Sequence, residues 1–181
     1  MKRLFIAIKI NPEENLINIY KKLQRLLVYD SIRWCSYENL HLTLKFLGNT
    51  PTEKIPQIVD IVNEVNNSIE KHNIIMKGLG VFGSRYNPKV IWCGIEKNDQ
   101  IIKAHKLLTE NLKEVGIYPD NQNFVPHLTL ARINNIRDKI AFTNFISSYK
   151  DVEIQNTLAS DIYLYESKLQ YKAPPIYIKI G

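Results

Sequence analysis

A chain of 181 residues has the length of one domain, or of two small halves that share a core. Its hydrophobic fraction of 45% and charged fraction of 23% are ordinary for a soluble globular protein, and no apolar run approaches the length of a membrane span. These values exclude a membrane-spanning protein, while the net charge of +6 favours anionic partners such as phosphates or RNA.

The two cysteines, Cys35 and Cys93, belong to no CxxC motif or Cys/His cluster. A chain of this length can bury enough surface to fold without disulfides or a structural metal. A reducing compartment is therefore expected, and we take it to be the cytoplasm.

The first predicted element is a buried strand over 4–10, LFIAIKI, behind a basic start. A signal peptide is a poorer interpretation, because Lys9 interrupts the apolar run and no small-residue cleavage site follows. Apolar residues at helical spacing then predict a helix within 12–27. A strand containing HLTL at 41–44 comes next, and a Thr/Pro signal opens a further helix within 50–65.

The same order of elements returns in the second half of the sequence. HLTL recurs at 127–130, and the two histidines lie 127 − 41 = 86 residues apart. Under that offset three segments fall on or near later segments of the same type: 4–10 on 90–96, 12–27 near 98–115, and the stretch 50–65 after the first HLTL near 134–149. We therefore expect a single domain over 1–181, built from two pseudo-symmetric halves of about 1–80 and 81–181. Chance similarity between two ordinary α+β stretches is the alternative.

Two further stretches carry local signals. Glycines and a proline in 78–89, GLGVFGSRYNPK, predict a loop between strands. Alternation over 152–180 is typical of an antiparallel β-meander, in which Pro174 and Pro175 suit the start or the edge of a strand.

The HLTL strands place chemistry on one face. Side chains alternate along a strand, so His41 and Thr43 point to one side while the two leucines of the motif enter the core. His127 and Thr129 repeat this arrangement. If the pseudo-two-fold brings the strands together, two His–Thr pairs face each other across one cleft.

Such a cleft suits phosphodiester chemistry. Two imidazoles that titrate near neutral pH can divide the roles of general base and general acid, and two hydroxyls can donate hydrogen bonds to a phosphate. A single strand histidine is usually structural, and we interpret His72 and His105 in that way. A zinc site is a weaker interpretation, because zinc usually takes three or four ligands and only Glu38 precedes the first motif. We therefore predict no metal and no cofactor.

Five phrases extend the pattern: RLFIAIKI, ENLHLTLKFLG, GLGVFGSRYNPKVIW, FVPHLTLAR and IYLYESKL, in this order across nearly the whole chain. Together they resemble the 2H phosphoesterase superfamily, and within it the RNA 2′,3′-cyclic phosphodiesterases, also called 2′-5′ RNA ligases. The resemblance implies an α+β, bilobal, duplicated fold, with two antiparallel sheets lining a central cleft and helices on the outside.

The resemblance also implies an activity and a set of residues. The activity is metal-independent hydrolysis of a terminal RNA 2′,3′-cyclic phosphate to a 2′-phosphate. By motif, His41 is the proton donor and His127 the proton acceptor, while Thr43, Thr129 and Arg132 bind the substrate phosphate. The expected partner is RNA that ends in a 2′,3′-cyclic phosphate, with small cyclic nucleotides as a further substrate class, and the protein is expected to be a monomer.

Arg132 conflicts with simple strand alternation, which puts it on the face of the motif leucines. It reaches the phosphate only if the strand ends, twists or bulges near Ala131. Its counterpart under the 86-residue offset is Phe46, so the site is not symmetric. Four residues are candidate nucleotide contacts: Phe46, Phe82, Arg85 and Tyr86.

Three other functions stay open at this point. The same site suits 2′-5′ ligation, and it also suits hydrolysis of 2′-5′ oligonucleotides or of cyclic nucleotides. A non-catalytic RNA-binding module is the third, although binding alone does not need two titratable groups.

Overall fold

The computed structural model describes residues 1–84, 86–118, 123–171 and 173–180, which form nine strands and four α-helices. The strands are β1 (Lys2–Lys9), β2 (Ser31–Trp34), β3 (His41–Thr50), β4 (Asn73–Gly83), β5 (Pro88–Ile95), β6 (His127–Asn135), β7 (Glu153–Leu158), β8 (Ile162–Gln170) and β9 (Ala173–Lys179). The helices are α1 (Glu14–Leu26), α2 (Ile55–Ser68), α3 (Asp99–Asn111) and α4 (Lys139–Ser148). The predicted α+β class is confirmed.

All paired strands are antiparallel and follow the order β7-β4-β5-β6-β3-β1-β8-β9, and β2 pairs with β6. The two strands that begin with HLTL, β3 and β6, are adjacent at the centre. They are joined at one residue pair, Leu42 with Leu128. We call β3-β1-β8-β9 the first lobe and β6-β5-β4-β7 the second lobe. The sheet is curled, and it matches the expected pair of antiparallel sheets around a cleft.

The lobes do not coincide with the two halves of the sequence. The strand β4 belongs to the first half and pairs with β5 in the second lobe, while β8 and β9 belong to the second half and extend the first lobe. The expected boundary near residue 80 lies inside β4. Each lobe is therefore completed by strands from the other half of the chain.

The core lies between the sheet and the helices. In the first lobe α3 packs against β3 and α2 against β8, and in the second lobe α1 packs against β7 and α4 against β4. Each of the first three helices buries one apolar stripe, and in α1 this stripe consists of Leu16, Ile19, Tyr20 and Leu23. The motif leucines contribute to the same core and are at most 2% exposed. Within the part of the chain that the structure describes, no helix is both long and apolar enough to cross a membrane.

Two local predictions were wrong. Most of the stretch 78–89 is strand, because β4 continues to Gly83 and β5 begins at Pro88. Gly80 serves close packing here instead of a turn, since a Cβ at this position would lie 2.1 Å from the ring of Trp92. The C-terminal stretch is not one meander either, because β7 and β8 lie at opposite sides of the strand order. The two prolines do lie in an edge strand, β9.

Candidate active site

The register between β3 and β6 brings the two motifs together. Leu42 faces Leu128, and these are equivalent residues, as a two-fold axis between the strands requires. Antiparallel pairing then places His41 beside Thr129 and Thr43 beside His127 on the face opposite to the leucines. The two imidazoles are diagonal neighbours, whose Cα atoms lie about 7–8 Å apart in such a ladder. All four motif side chains with polar groups are half-buried.

A backbone carbonyl orients each imidazole. His41 Nδ1 lies 2.6 Å from the carbonyl oxygen of Asn39, and His127 Nδ1 lies 2.7 Å from that of Val125. A carbonyl can only accept, so Nδ1 carries the proton in both rings and Nε2 is left for chemistry. Neither Nε2 atom has a hydrogen-bond partner among the residues that the structure describes.

The surroundings favour the neutral form of both rings in the free protein. The pKa of His41 is lowered to about 4, chiefly by burial and to a lesser degree by the charges of Lys9 and His127. Burial also lowers the pKa of His127, and the Arg132 guanidinium acts in the same direction. The bonds to Asn39 and Val125 oppose these decreases. Each Nε2 is therefore a hydrogen-bond acceptor at pH 7 before substrate binds.

The hydroxyls of Thr43 and Thr129 complete a polar face between the rings. Neither hydroxyl bonds to another group within the described parts of the chain. A half-buried hydroxyl without a protein partner can donate to a bound oxyanion.

A bulge brings Arg132 to the cleft face. Thr129 pairs with Trp92 and Ala131 pairs with Ile91, so Leu130 is an extra residue in β6. Leu130 and Ala131 are both buried, and alternation restarts with Arg132 on the exposed side. The irregularity that Arg132 required is therefore present, one residue before Ala131.

The same bulge occurs in β3. Thr43 pairs with Ala7 and Lys45 pairs with Ile6, which leaves Leu44 as the extra residue. Phe46 consequently lies on the cleft face at the position equivalent to Arg132, 62% exposed and 6.3 Å from the ring of Phe5. One lobe thus presents a guanidinium and the other an aromatic ring.

Aromatic rings flank both histidines. Phe5 and Tyr177 contact His41 at ring-centre distances of 4.9 Å and 5.1 Å. Phe82 meets His127 edge-on at 4.7 Å. Tyr165 stacks on Phe5 at 5.3 Å and extends the aromatic cluster beside His41, while Trp92 lies 5.3 Å from Phe82 and extends the one beside His127.

A cavity of about 270 Å³ opens beside His41. Its aromatic lining comes from Phe5, Tyr165 and Tyr177, and its cations are Lys9 and Lys179. Aromatic faces with neighbouring cations suit a nucleobase and its phosphates. The His41 side of the cleft therefore has room for a nucleoside.

Arg33 lies beside Arg132 on the neighbouring strand β2. Both are exposed, and directly opposite residues of an antiparallel pair share a face. Like charges in this position repel, and neither side chain forms an ion pair within the described residues. A bound anion would offset the repulsion between the two guanidinium groups, so this end of the cleft favours an anionic ligand.

Tyr86 and Arg85 are the remaining predicted nucleotide contacts. Tyr86 lies in the turn between β4 and β5, is 80% exposed, and makes no ring contact with a described residue. Arg85 lies outside the residues that the structure describes.

In the described ranges, no three of His, Cys, Asp and Glu cluster as a metal site would require. Metal independence stays a prediction.

Sequence reasoning missed several residues of the cleft. Phe5 and Lys9 lie an even number of residues apart in the first strand, so alternation places them on one face of it. Alternation alone does not show that this face borders the cleft. Arg33 comes from β2, which pairs with the distant strand β6, and Tyr177 comes from β9, which reaches the site only because β8 pairs with the distant strand β1. Only a correct strand order would have brought them to the site.

The curled sheet and the two H-x-T strands at its centre define the 2H phosphoesterase class. The chain belongs to the LigT-like phosphoesterase family, whose profile matches residues 8–92 and 94–177. The two segments begin 94 − 8 = 86 residues apart, the spacing of the two HLTL motifs. The predicted family and enzyme class are confirmed.

Relatives and solved structures agree with this assignment. The RNA 2′,3′-cyclic phosphodiesterase of Methanocaldococcus jannaschii is 34% identical over 172 residues, which cover 95% of each chain. That of Thermotoga maritima is 33% identical over 139 residues, covering 76% of this chain and 73% of the relative. The fold matches TT0787 of Thermus thermophilus with a TM-score of 0.81 at 22% identity, covering 99% of this chain and 95% of that one. Escherichia coli LigT complexed with 3′-AMP gives 0.73 at 19% identity, with the same coverage.

Proposed function

We propose that the protein hydrolyses the terminal 2′,3′-cyclic phosphate of RNA to a 2′-phosphate by acid–base catalysis between His41 and His127, without a metal ion. The observation that carries the proposal is the pair of imidazoles whose Nδ1 atoms are held by carbonyls and whose Nε2 atoms have no partner in the described structure. The names of the relatives support RNA 2′,3′-cyclic phosphate as the substrate.

The reaction exchanges one P–O bond for another. Water attacks phosphorus in line with O3′, its proton passes to Nε2 of one histidine, and the other histidine gives a proton to O3′ as the P–O3′ bond breaks. Base and acid therefore stand on opposite sides of phosphorus. The hydroxyls of Thr43 and Thr129 hold the non-bridging oxygens, and Arg132 balances their charge.

The asymmetry of the cleft supports His41 as the acid. The departing O3′ belongs to the nucleoside, so the acid lies on the side where the nucleoside is bound. The cavity with Tyr165, Tyr177 and Lys179 lies beside His41. His127 then faces the attacking water.

The pKa of His41 must rise when substrate binds, because only the protonated imidazole can donate a proton to O3′. The substrate phosphate carries a negative charge, and an opposite charge within about 4–6 Å favours the protonated imidazole. His41 therefore takes up its proton as the phosphate binds. A bell-shaped pH profile is expected, with limbs that belong to the coupled pair of histidines.

Turnover of an RNA oligonucleotide with a 2′,3′-cyclic phosphate end, with EDTA present, tests the proposed function. We expect a 2′-phosphate product, and either His41→Ala or His127→Ala should lower the rate roughly 100-fold or more. A 3′-phosphate product, or activity that returns only with zinc or manganese, contradicts the proposal. Joining of 2′-5′ ends, or cleavage of a 2′-5′ dinucleotide at a higher kcat/KM, would favour one of the alternative reactions.

A modified substrate separates the two histidines. When O3′ is replaced by a leaving group that needs no proton, His41→Ala should recover much of its lost rate and His127→Ala should not. Recovery by His127→Ala alone reverses the assignment.

A further inference from the structure

The bulge in β3 leaves the carbonyl of Leu44 to be satisfied by a side chain. His105, on α3, has its Nδ1 2.9 Å from this oxygen. Because a carbonyl only accepts, Nδ1 carries the proton and donates it. Leu44 directly follows Thr43, so the imidazole holds the strand at the residue after a predicted phosphate ligand.

The equivalent carbonyl in the other lobe has a backbone donor. Leu130 O accepts from the N–H of Cys35 at 2.9 Å, where β2 has just left β6. Tyr20 of α1, 85 residues before His105, bonds to Cys35 O and has its hydroxyl 3.5 Å from Leu130 O. Each bulge therefore contacts a helix from the other half of the sequence, α3 for the bulge in β3 and α1 for the bulge in β6. On β3 the donor is an imidazole instead of an amide.

The ring of His105 also contacts the entry to the second motif. It stacks on Phe124 with ring centres 3.9 Å apart and planes within 5° of parallel. Phe124 directly precedes Val125, whose carbonyl orients His127. One half-buried side chain therefore touches the segments that place both halves of the site.

We propose that His105 is a positioning residue of this active site, which holds Thr43 through the β3 bulge and His127 through Phe124. The inference rests on the proposed function at the two-histidine cleft. The ring contacts no reacting group, so its effect passes through the geometry of the motif residues. Displacements of about 1 Å at such residues can cost up to roughly 100-fold in rate.

Two substitutions separate the ring from the donor. His105→Phe keeps a ring on Phe124 and removes the donor to Leu44 O. His105→Asn keeps a donor near the place of Nδ1 and removes the stack. We expect kcat to fall about tenfold or more in His105→Phe, with a smaller fall in His105→Asn.

His72 provides a matched control. Like that of His105, its Nδ1 lies 2.9 Å from a carbonyl oxygen, here that of Glu70, but His72 directly precedes β4. His72→Phe should leave kcat within about twofold of the wild type, with any loss confined to thermal stability. All rates are measured below the melting transition, with folding checked by circular dichroism.

A double-mutant cycle with Thr43→Val distinguishes positioning from general support of the fold. If His105 acts through Thr43, adding His105→Phe to Thr43→Val should lower kcat much less than it does alone. The inference is overturned if the fold-loss of kcat in the double variant equals the product of the two single losses. It is also overturned if folded His105→Phe has the kcat of the wild type. If the Phe variant does not fold, the isosteric pair His105→Asn and His105→Asp replaces it, and equal kcat in these two overturns it. Absence of wild-type turnover would instead refute the proposed function.

Discussion

At the scale of single residues, each HLTL imidazole is fixed by the carbonyl two positions earlier in the chain. The bond decides which nitrogen faces the cleft without using any other side chain. The HLTL pattern predicted the face of each histidine, because alternation along a strand is local. It could not predict the tautomer, since the backbone turn before each strand depends on loops with no periodic signal.

The lowered pKa of His41 predicts a pH-dependent stability. Folded His41 resists protonation down to a pKa of about 4, whereas an unfolded histidine binds a proton below about 6.5. The unfolded state therefore binds more protons between these values, and the free energy of unfolding should fall by up to about 3 kcal/mol as pH drops from 6.5 to 4. Urea unfolding of the wild type and of His41→Gln across this range measures the effect. A variant with the same pH dependence as the wild type contradicts it.

Thr43 and Thr129 carry a second prediction at this scale. Thr→Val at either position keeps the shape and removes the donor to phosphate. The loss of a hydrogen bond to a charged group should cost about 1.5–3 kcal/mol, or roughly 10- to 100-fold in kcat/KM. Thr157→Val, at a half-buried threonine of the edge strand β7, is the control and should retain activity. Unchanged kcat/KM in both motif variants would show that the hydroxyls are structural.

At the scale of elements, the two bulges decide which side chains reach the cleft. Strict alternation would have turned Arg132 into the core, and the extra residue Leu130 returns it to the side of Thr129. The sequence indicated that an irregularity was needed for Arg132 but gave no sign of the matching one in β3. That second bulge is identified by the strand pairing, in which Lys45 lies opposite Ile6 and Thr43 opposite Ala7.

Packing between β4 and β5 supplies a prediction about Gly80. The missing side chain makes room for the ring of Trp92, which lies opposite Thr129 on the next strand. Gly80→Ala should destabilise the fold by about 1–3 kcal/mol, because the ring must leave its position. Gly80→Ala combined with Trp92→Leu should cost less than the sum of the single changes. Additive losses in urea unfolding would mean that the ring moves freely.

At the scale of the whole molecule, the net charge of +6 and the cleft arginines predict how binding depends on salt. An RNA strand makes more phosphate contacts than a cyclic mononucleotide, so its affinity should fall more steeply as salt rises. Arg33→Gln should reduce the salt slope for RNA by about one and leave the mononucleotide nearly unaffected. Arg25→Gln, on the exposed last turn of α1, is the matched control. Equal slopes for both ligands would confine binding to the terminal phosphate.

Strand order was the part of the fold that sequence reasoning did not reach. The spacing of apolar residues along the sequence predicts helices and strands locally. The pairing partner of an edge strand depends instead on contacts across the whole molecule. The stretch containing β7 and β8 shows the difference, since both strands were expected and only their neighbours were wrong. Duplication, ancestral or convergent, remains our interpretation of the 86-residue spacing, and the expected monomer stays a prediction.

The exchange of strands between the lobes has a consequence for synthesis on the ribosome. When His41 and His127 have both left the exit tunnel, β1 still lacks its neighbour β8, and Tyr177 has not yet reached His41. The nucleoside side of the cleft closes only when β8 and β9 add to the first lobe. A nascent or truncated chain that carries both HLTL motifs but lacks β8 and β9 should therefore be unable to hydrolyse a terminal 2′,3′-cyclic phosphate, so the enzyme is inactive until its last strands are made.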